Sequence, residues 1–98
     1  MSKISDDAAF SFEIEESFNR SNTEVIVSDN KVEMYLYDSL IARKMSGITQ
    51  ITNAGFKTDT TKSRLNSISG VYIKQIKNQW YIEQENGMIP WDGDWISV

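Results

Sequence analysis

The sequence predicts an α+β domain: a twisted antiparallel sheet of about five to six strands with one helix packed on a face. Three observations predict it. From residue 24 onward apolar residues recur every second position, in short runs separated by Asn, Asp and Gly. One stretch, residues 58–69, breaks that rhythm with apolar residues at helical spacing. The chain has 98 residues, 40% of them apolar, which suits one core and leaves little for a second.

Residues 1–23 are read as an acidic extension with a candidate helix. Phe10, Ile14 and Phe18 recur every four residues, which favours a helix, with Ser5 as its cap and Asp6 and Asp7 in its first turn. Phe10, Phe12 and Ile14 also alternate, which leaves a strand open. Ser21, Asn22 and Thr23 break the segment. Residues 24–98 then form the single α+β domain. EVIVSD (24–29) and KVEMYLYD (31–38) make a hairpin across Asp29-Asn30, with Val32, Met34 and Leu36 on the inner face. SLIARKM (39–45) and residues 48–52 are further strands on either side of Ser46-Gly47.

The helix at 58–69 starts at Thr58 or Asp59, turns Thr61, Leu65 and Ile68 inward, sets Arg64 on its flank and ends at Gly70. VYIKQI (71–76) and QWYIE (79–83) form a second hairpin that points Trp80 and Ile82 at the core. Asn86-Gly87 is a tight-turn pair, Pro90 confines MIPW (88–91) to a sheet edge, and DWISV (94–98) closes the chain after Asp92-Gly93. Trp91 and Trp95 are assigned to the core with Trp80, the alternative being anchors for a partner.

The composition excludes much chemistry. There is no Cys and no His. Disulfides, thiolate or imidazole metal sites, and Ser-His-Asp or Cys-His catalysis are therefore absent. A paired-carboxylate glycosidase needs a deeper cleft than so short a chain offers. The Asp92-Gly93-Asp94 loop lacks the further ligands of a calcium site and reads as a turn. The expectation is a non-enzymatic protein with no cofactor and no metal. No apolar run approaches the roughly 18 residues that span a bilayer. The N-terminus has one Lys followed by Asp6 and Asp7, unlike a secretory signal, so the cytoplasm is the expected compartment.

Charge is uneven. Residues 1–30 hold seven acids against two bases, residues 31–80 eight bases against three acids, and residues 81–98 four acids and no base. Two charged surfaces follow as candidates. The acids Asp6, Asp7, Glu13, Glu15 and Glu16 give the N-terminal segment a negative face for a basic protein groove. Lys62, Arg64, Lys74 and Lys77, with Lys57 nearby and Tyr35, Tyr37 and Tyr72 as stacking faces, give a basic helix–hairpin face for nucleic acid. Thr60 and Thr61 at the helix start could receive a phosphate. The plainer reading of both surfaces is solvated polar face, with the tyrosines turned to the core.

Over residues 32–98 the wording resembles a family of very small proteins encoded mainly by bacteriophages, prophages and related mobile elements. The residues that carry it are Leu40-Ile41-Ala42, Ile51-Thr52-Asn53-Ala54-Gly55-Phe56, Thr60-Thr61-Lys62 with Arg64-Leu65-Asn66, Gly70-Val71, Gln79-Trp80-Tyr81 and Trp91-Asp92-Gly93. The link from Tyr81 to Trp91 is longer than the family's, Phe56 stands where it often has Trp, and the first thirty residues lie outside the pattern. Thr60, Thr61, Leu65, Asn66, Trp80 and Asp92-Gly93 all have structural roles open to them; Arg64 alone has no obvious one.

The resemblance implies a phage or mobile-element accessory protein acting in the bacterial host cytoplasm. Such proteins commonly bind and block host machinery. The first expectation is thus a stoichiometric inhibitor of a host protein or nucleoprotein defence complex, in the manner of an anti-CRISPR or anti-restriction protein, using the acidic N-terminal face. The alternative is a small nucleic-acid-binding module using the basic face.

Overall fold

The computed structural model describes residues 3–98. Helix α1 (Lys3–Ile14) leads into β1 (Phe18–Arg20), β2 (Thr23–Val27), β3 (Lys31–Leu36), β4 (Ser39–Met45) and β5 (Ile48–Ile51). Helix α2 (Asp59–Asn66) follows, then β6 (Ile73–Ile76), β7 (Gln79–Gln84), β8 (Gly87–Pro90) and β9 (Ile96–Ser97). The α+β class and antiparallel pairing are as the sequence predicts. The strands, however, divide into two sheets: β1-β2-β3-β4-β5-β9 and β6-β7-β8.

Alternation in β3 sends Val32, Met34 and Leu36 inward, where they meet Val25, Ile41, Ala42 and Ile51. The smaller sheet contributes Ile73, Trp80 and Ile82, and the helices add Phe12, Leu65 and Ile68. All join one core, burying roughly 1.5–3 kcal/mol of transfer free energy per large side chain. Trp80 and Trp91 pack with ring centroids 6.2 Å apart. Trp95 departs from the expected core position and is 38% exposed. Strand alternation in the closing segment turns Ile96 inward, and Trp95 takes the other face.

Residues 1–23 contain the expected helix, but it buries a different face. Ser5, Ala8, Ala9 and Phe12, spaced i, i+3, i+4 and i+7, form the inner stripe. Phe10 and Ile14 point outward, and Phe18 belongs to β1, not to the helix. Size explains the difference: small side chains let α1 approach α2 closely, and only Phe12 is needed to fill the core. Ser5 is an interior helical residue rather than a cap.

The end of α1 is built without glycine. Glu15 takes the left-handed conformation (φ 60°), and the Glu16 amide donates to the Ser11 carbonyl at 2.9 Å, the long bond of a Schellman ending. The last turn of α1 carries no base of its own. Lys44 of β4 supplies one, with Nζ 3.2 Å from the carbonyls of both Phe12 and Glu13. The β3–β4 turn likewise holds Tyr37 and Asp38 at φ 50° and 66°.

Helix α2 starts at Thr58, whose hydroxyl accepts from the Thr61 amide. After it, Asn66 continues the backbone ladder with its side chain: Oδ1 accepts from the Ile73 amide at 2.7 Å and Nδ2 donates to the Ile73 carbonyl at 3.0 Å. At the other end of the core, Asn53 and Gly93 lock the segment after β5 to the segment before β9. The Asn53 amide donates to the Gly93 carbonyl at 3.0 Å, and the Thr52 hydroxyl donates to the same oxygen. Asn53 Oδ1 also holds the Gly55 amide at 2.8 Å.

A Cβ on Gly93 would lie 2.2 Å from the Asn53 side chain, and Gly93 sits at φ +96°. Gly70 has φ +87° but nothing within 4 Å of a built Cβ. G93A should therefore lose about 2–4 kcal/mol, conformational strain plus overpacking, while G70A loses about 1 kcal/mol. Urea midpoints of the two variants beside the parent chain check this ordering.

Candidate functional site

Three sets of residues bear on a candidate site. The first is buried. Arg64 is only 5% exposed and stands where α2, α1 and the β1–β2 turn meet. Its Nε donates to Thr23 Oγ1 at 2.8 Å, Nη2 to Asn22 Oδ1 at 3.0 Å, and Nη1 to Ser5 Oγ. Ser5 and Ser63 share a further hydrogen bond of 2.8 Å, and Thr23 donates to Asn22 Oδ1 at 2.7 Å. Burial pushes the guanidinium below its ordinary pKa, opposed by Tyr37, but an arginine remains charged. Arg64 thus has the structural role that the sequence did not reveal, and it is not part of an exposed basic face.

The remaining bases of that expected surface lie on α2 and on the β6–β7 hairpin. Lys62 bridges α2 to β6 through Gln75 Oε1 at 2.8 Å, pairs with Asp59 at 3.4 Å and lies 5.9 Å from the Trp80 ring centroid. Lys74 and Lys77 are exposed on the β6–β7 hairpin. Tyr37 and Tyr72 are exposed rather than turned to the core, and Tyr35 is half-buried. Burial pushes the Tyr35 hydroxyl pKa up, reinforced by Glu33 and Glu24. Thr61 is buried at the α2 start, its hydroxyl 3.0 Å from that of Thr58.

The second group comprises the acids of the N-terminal segment, most of which are tied to the fold. Asp7 pairs with Arg20 at 2.9 Å and with Lys3 at 3.4 Å. Glu13 accepts the Ser69 amide at 2.7 Å, holding the chain after α2. Asp6 accepts from Ser67 at 3.3 Å, and Glu15 pairs with Lys44 at 3.6 Å. Glu16 is exposed beyond the helix end.

The third group was not found by reading charge. Asp6, Phe10 and Ile14, spaced i, i+4 and i+8, share the outward stripe of α1, with Glu13 beside it. Phe10 is 64% and Ile14 46% exposed. The four-residue spacing of Phe10 and Ile14 was the available signal; it marks this outer stripe, not the core. Among the described residues no group of acids is arranged to hold a metal ion, and no helix is long and apolar enough to cross a membrane.

The family model described as Kyanoviridae Gp96 protein matches residues 1–97. The first thirty residues, outside the pattern noted in the sequence, lie within this match. No curated protein and no solved structure matches the chain.

Two outcomes follow from these contacts. R64M should lower stability by about 2–4 kcal/mol, because acceptors on three elements lose their charged donor inside the protein; urea denaturation measures it. Asp7 is held below the ordinary carboxylate pKa first by Arg20 and then by Lys3, with burial opposing. Its contribution is therefore full above the ordinary carboxylate pKa and is lost as pH falls through the lowered one, below about pH 4. The stability difference between parent and D7N should narrow over that acid window, read from urea midpoints at successive pH values.

Proposed function

The chain belongs to the Kyanoviridae Gp96 protein family, and we propose that this phage protein is a non-enzymatic accessory factor that binds a host protein stoichiometrically. The observation that carries the proposal is the outer stripe of α1. Phe10 and Ile14 stand exposed between acids, on a helix whose opposite face is fixed in the core. A rigid helix presenting an aromatic anchor is an economical binding element, because little ordering is left to do on association. The acids on and beside the stripe favour a basic partner surface.

A groove that handles nucleic acid is such a surface, and nucleoprotein defence complexes of the host are the proposed targets. Binding there would exclude nucleic acid by occupying its site, in the manner of anti-CRISPR or anti-restriction proteins. The reading places the protein in the host cytoplasm and needs no cofactor.

The test is purification of the tagged chain from infected host cells after nuclease treatment. Beside the parent chain stand F10S and D6K/E16K, which spare the Glu13–Ser69 and Glu15–Lys44 contacts, and K74E/K77E. A stoichiometric basic protein should survive nuclease and persist with K74E/K77E. F10S should weaken it at least about tenfold with an unchanged melting temperature. Capture that depends on nucleic acid and on Lys74 and Lys77 would replace this reading with the nucleic-acid module.

A further inference from the structure

The six-stranded sheet has a second face, and it carries a site of opposite charge. Adjacent strand residues point to opposite faces. Lys44 reaches α1 on the inner side; Arg43, its neighbour, projects from the outer side. Ile26, Glu33, Arg43, Gln50 and Ser97 form one cross-strand row there, and none of them is buried.

Arg43 is held in a fixed pose. Its guanidinium carbon lies 3.9 Å from the centroid of the Trp95 ring, and its Nε donates to Gln50 Oε1 at 3.0 Å. Both restraints are neutral. Among the described residues no carboxylate lies within ion-pair distance of Arg43, and its cross-strand neighbour Glu33 pairs with Lys31 at 3.7 Å. With Nε engaged and one flat side on the indole, the terminal nitrogens are left to donate. Arg43 also lines a depression of about 260 Å³, together with Met45, Ser46, Ile48 and Gln50. Met45 is 49% and Ile48 57% exposed.

The geometry points to a docking site for an acidic, apolar segment of a partner protein, one carboxylate accepting from Arg43 and an adjoining apolar side chain seated on Met45 and Ile48. Charge complementarity selects a carboxylate, which accepts from a guanidinium in paired fashion. The depression is smaller than pockets that enclose whole small ligands. Trp95 stacks on Arg43, and Trp, Arg and Met are among the residues enriched at protein interfaces. This site is independent of the α1 stripe, which lies on the opposite side of the sheet.

The experiment is an NMR titration of the ¹⁵N-labelled chain, following the Arg43 Nε–H and Trp95 indole signals. The probes are N-acetyl-Leu-Glu-Leu-amide, its glutamine counterpart, and acetate. The Glu peptide should shift both signals saturably, the Gln peptide should bind roughly tenfold or more weakly, and acetate should be weaker still. R43Q should lose the Glu-over-Gln preference while the Trp80 and Trp91 indole signals stay in place, showing the core intact. Equal binding of both peptides, an unaltered preference in R43Q, acetate matching the Glu peptide, or no saturable shift would each overturn the proposal.

Discussion

Burial of the Arg64 guanidinium is the constraint on which the arrangement of helices and sheet depends. A guanidinium cannot shed its charge, so its donors must be met inside the protein. The groups that meet them come from separate elements: Ser5 from α1, Thr23 from β2 and Asn22 from the turn before it. Each is short, so the elements must come close. The small residues Ala8 and Ala9 on the same face of α1 permit that approach. One side chain of α2 thereby fixes how both helices sit on the sheet.

The same device recurs where regular structure ends. Asn66 completes the β6 ladder from the helix, and Asn53 closes its own turn by accepting the Gly55 amide with Oδ1, while its backbone amide ties the exit of β5 to Gly93. A side-chain amide offers a donor and an acceptor, as a peptide unit does, so it can satisfy backbone groups that no strand reaches. Gly93 belongs to this device, because the Asn53 side chain occupies the space where a Cβ would stand. These polar locks join α2 to β6, and the exit of β5 to the approach to β9, around one apolar core.

Electrostatics then divides the surface. The acids that gave the N-terminal segment its charge mostly serve the fold: Asp7 holds Arg20, Glu13 holds the chain after α2, and Glu15 meets Lys44. What α1 leaves open is an apolar pair edged by acids. The outer sheet face leaves open an arginine restrained only by neutral groups, beside an indole and two apolar side chains. The two surfaces are of unlike charge and lie on opposite sides of one sheet.

Period and punctuation in the sequence determined the local structure. The alternation of Val32, Met34 and Leu36, the turns at Ser46-Gly47 and Asn86-Gly87, the Thr58 cap and the inward Trp80 and Ile82 all follow from local rules. So does the α+β class. Only the tertiary structure decided which face of α1 is buried, that the strands split into two sheets, that Trp95 lies outside, and that Arg64 lies inside. The physical reason is common to all four. Each depends on what a side chain meets across the fold, at separations of 41 residues for Arg64 and Thr23 and 59 for Arg64 and Ser5. No local spacing can express such a meeting. A large apolar residue scores as core wherever it stands, and a charged one as surface, until a set of short hydroxyls elsewhere in the chain is brought around it.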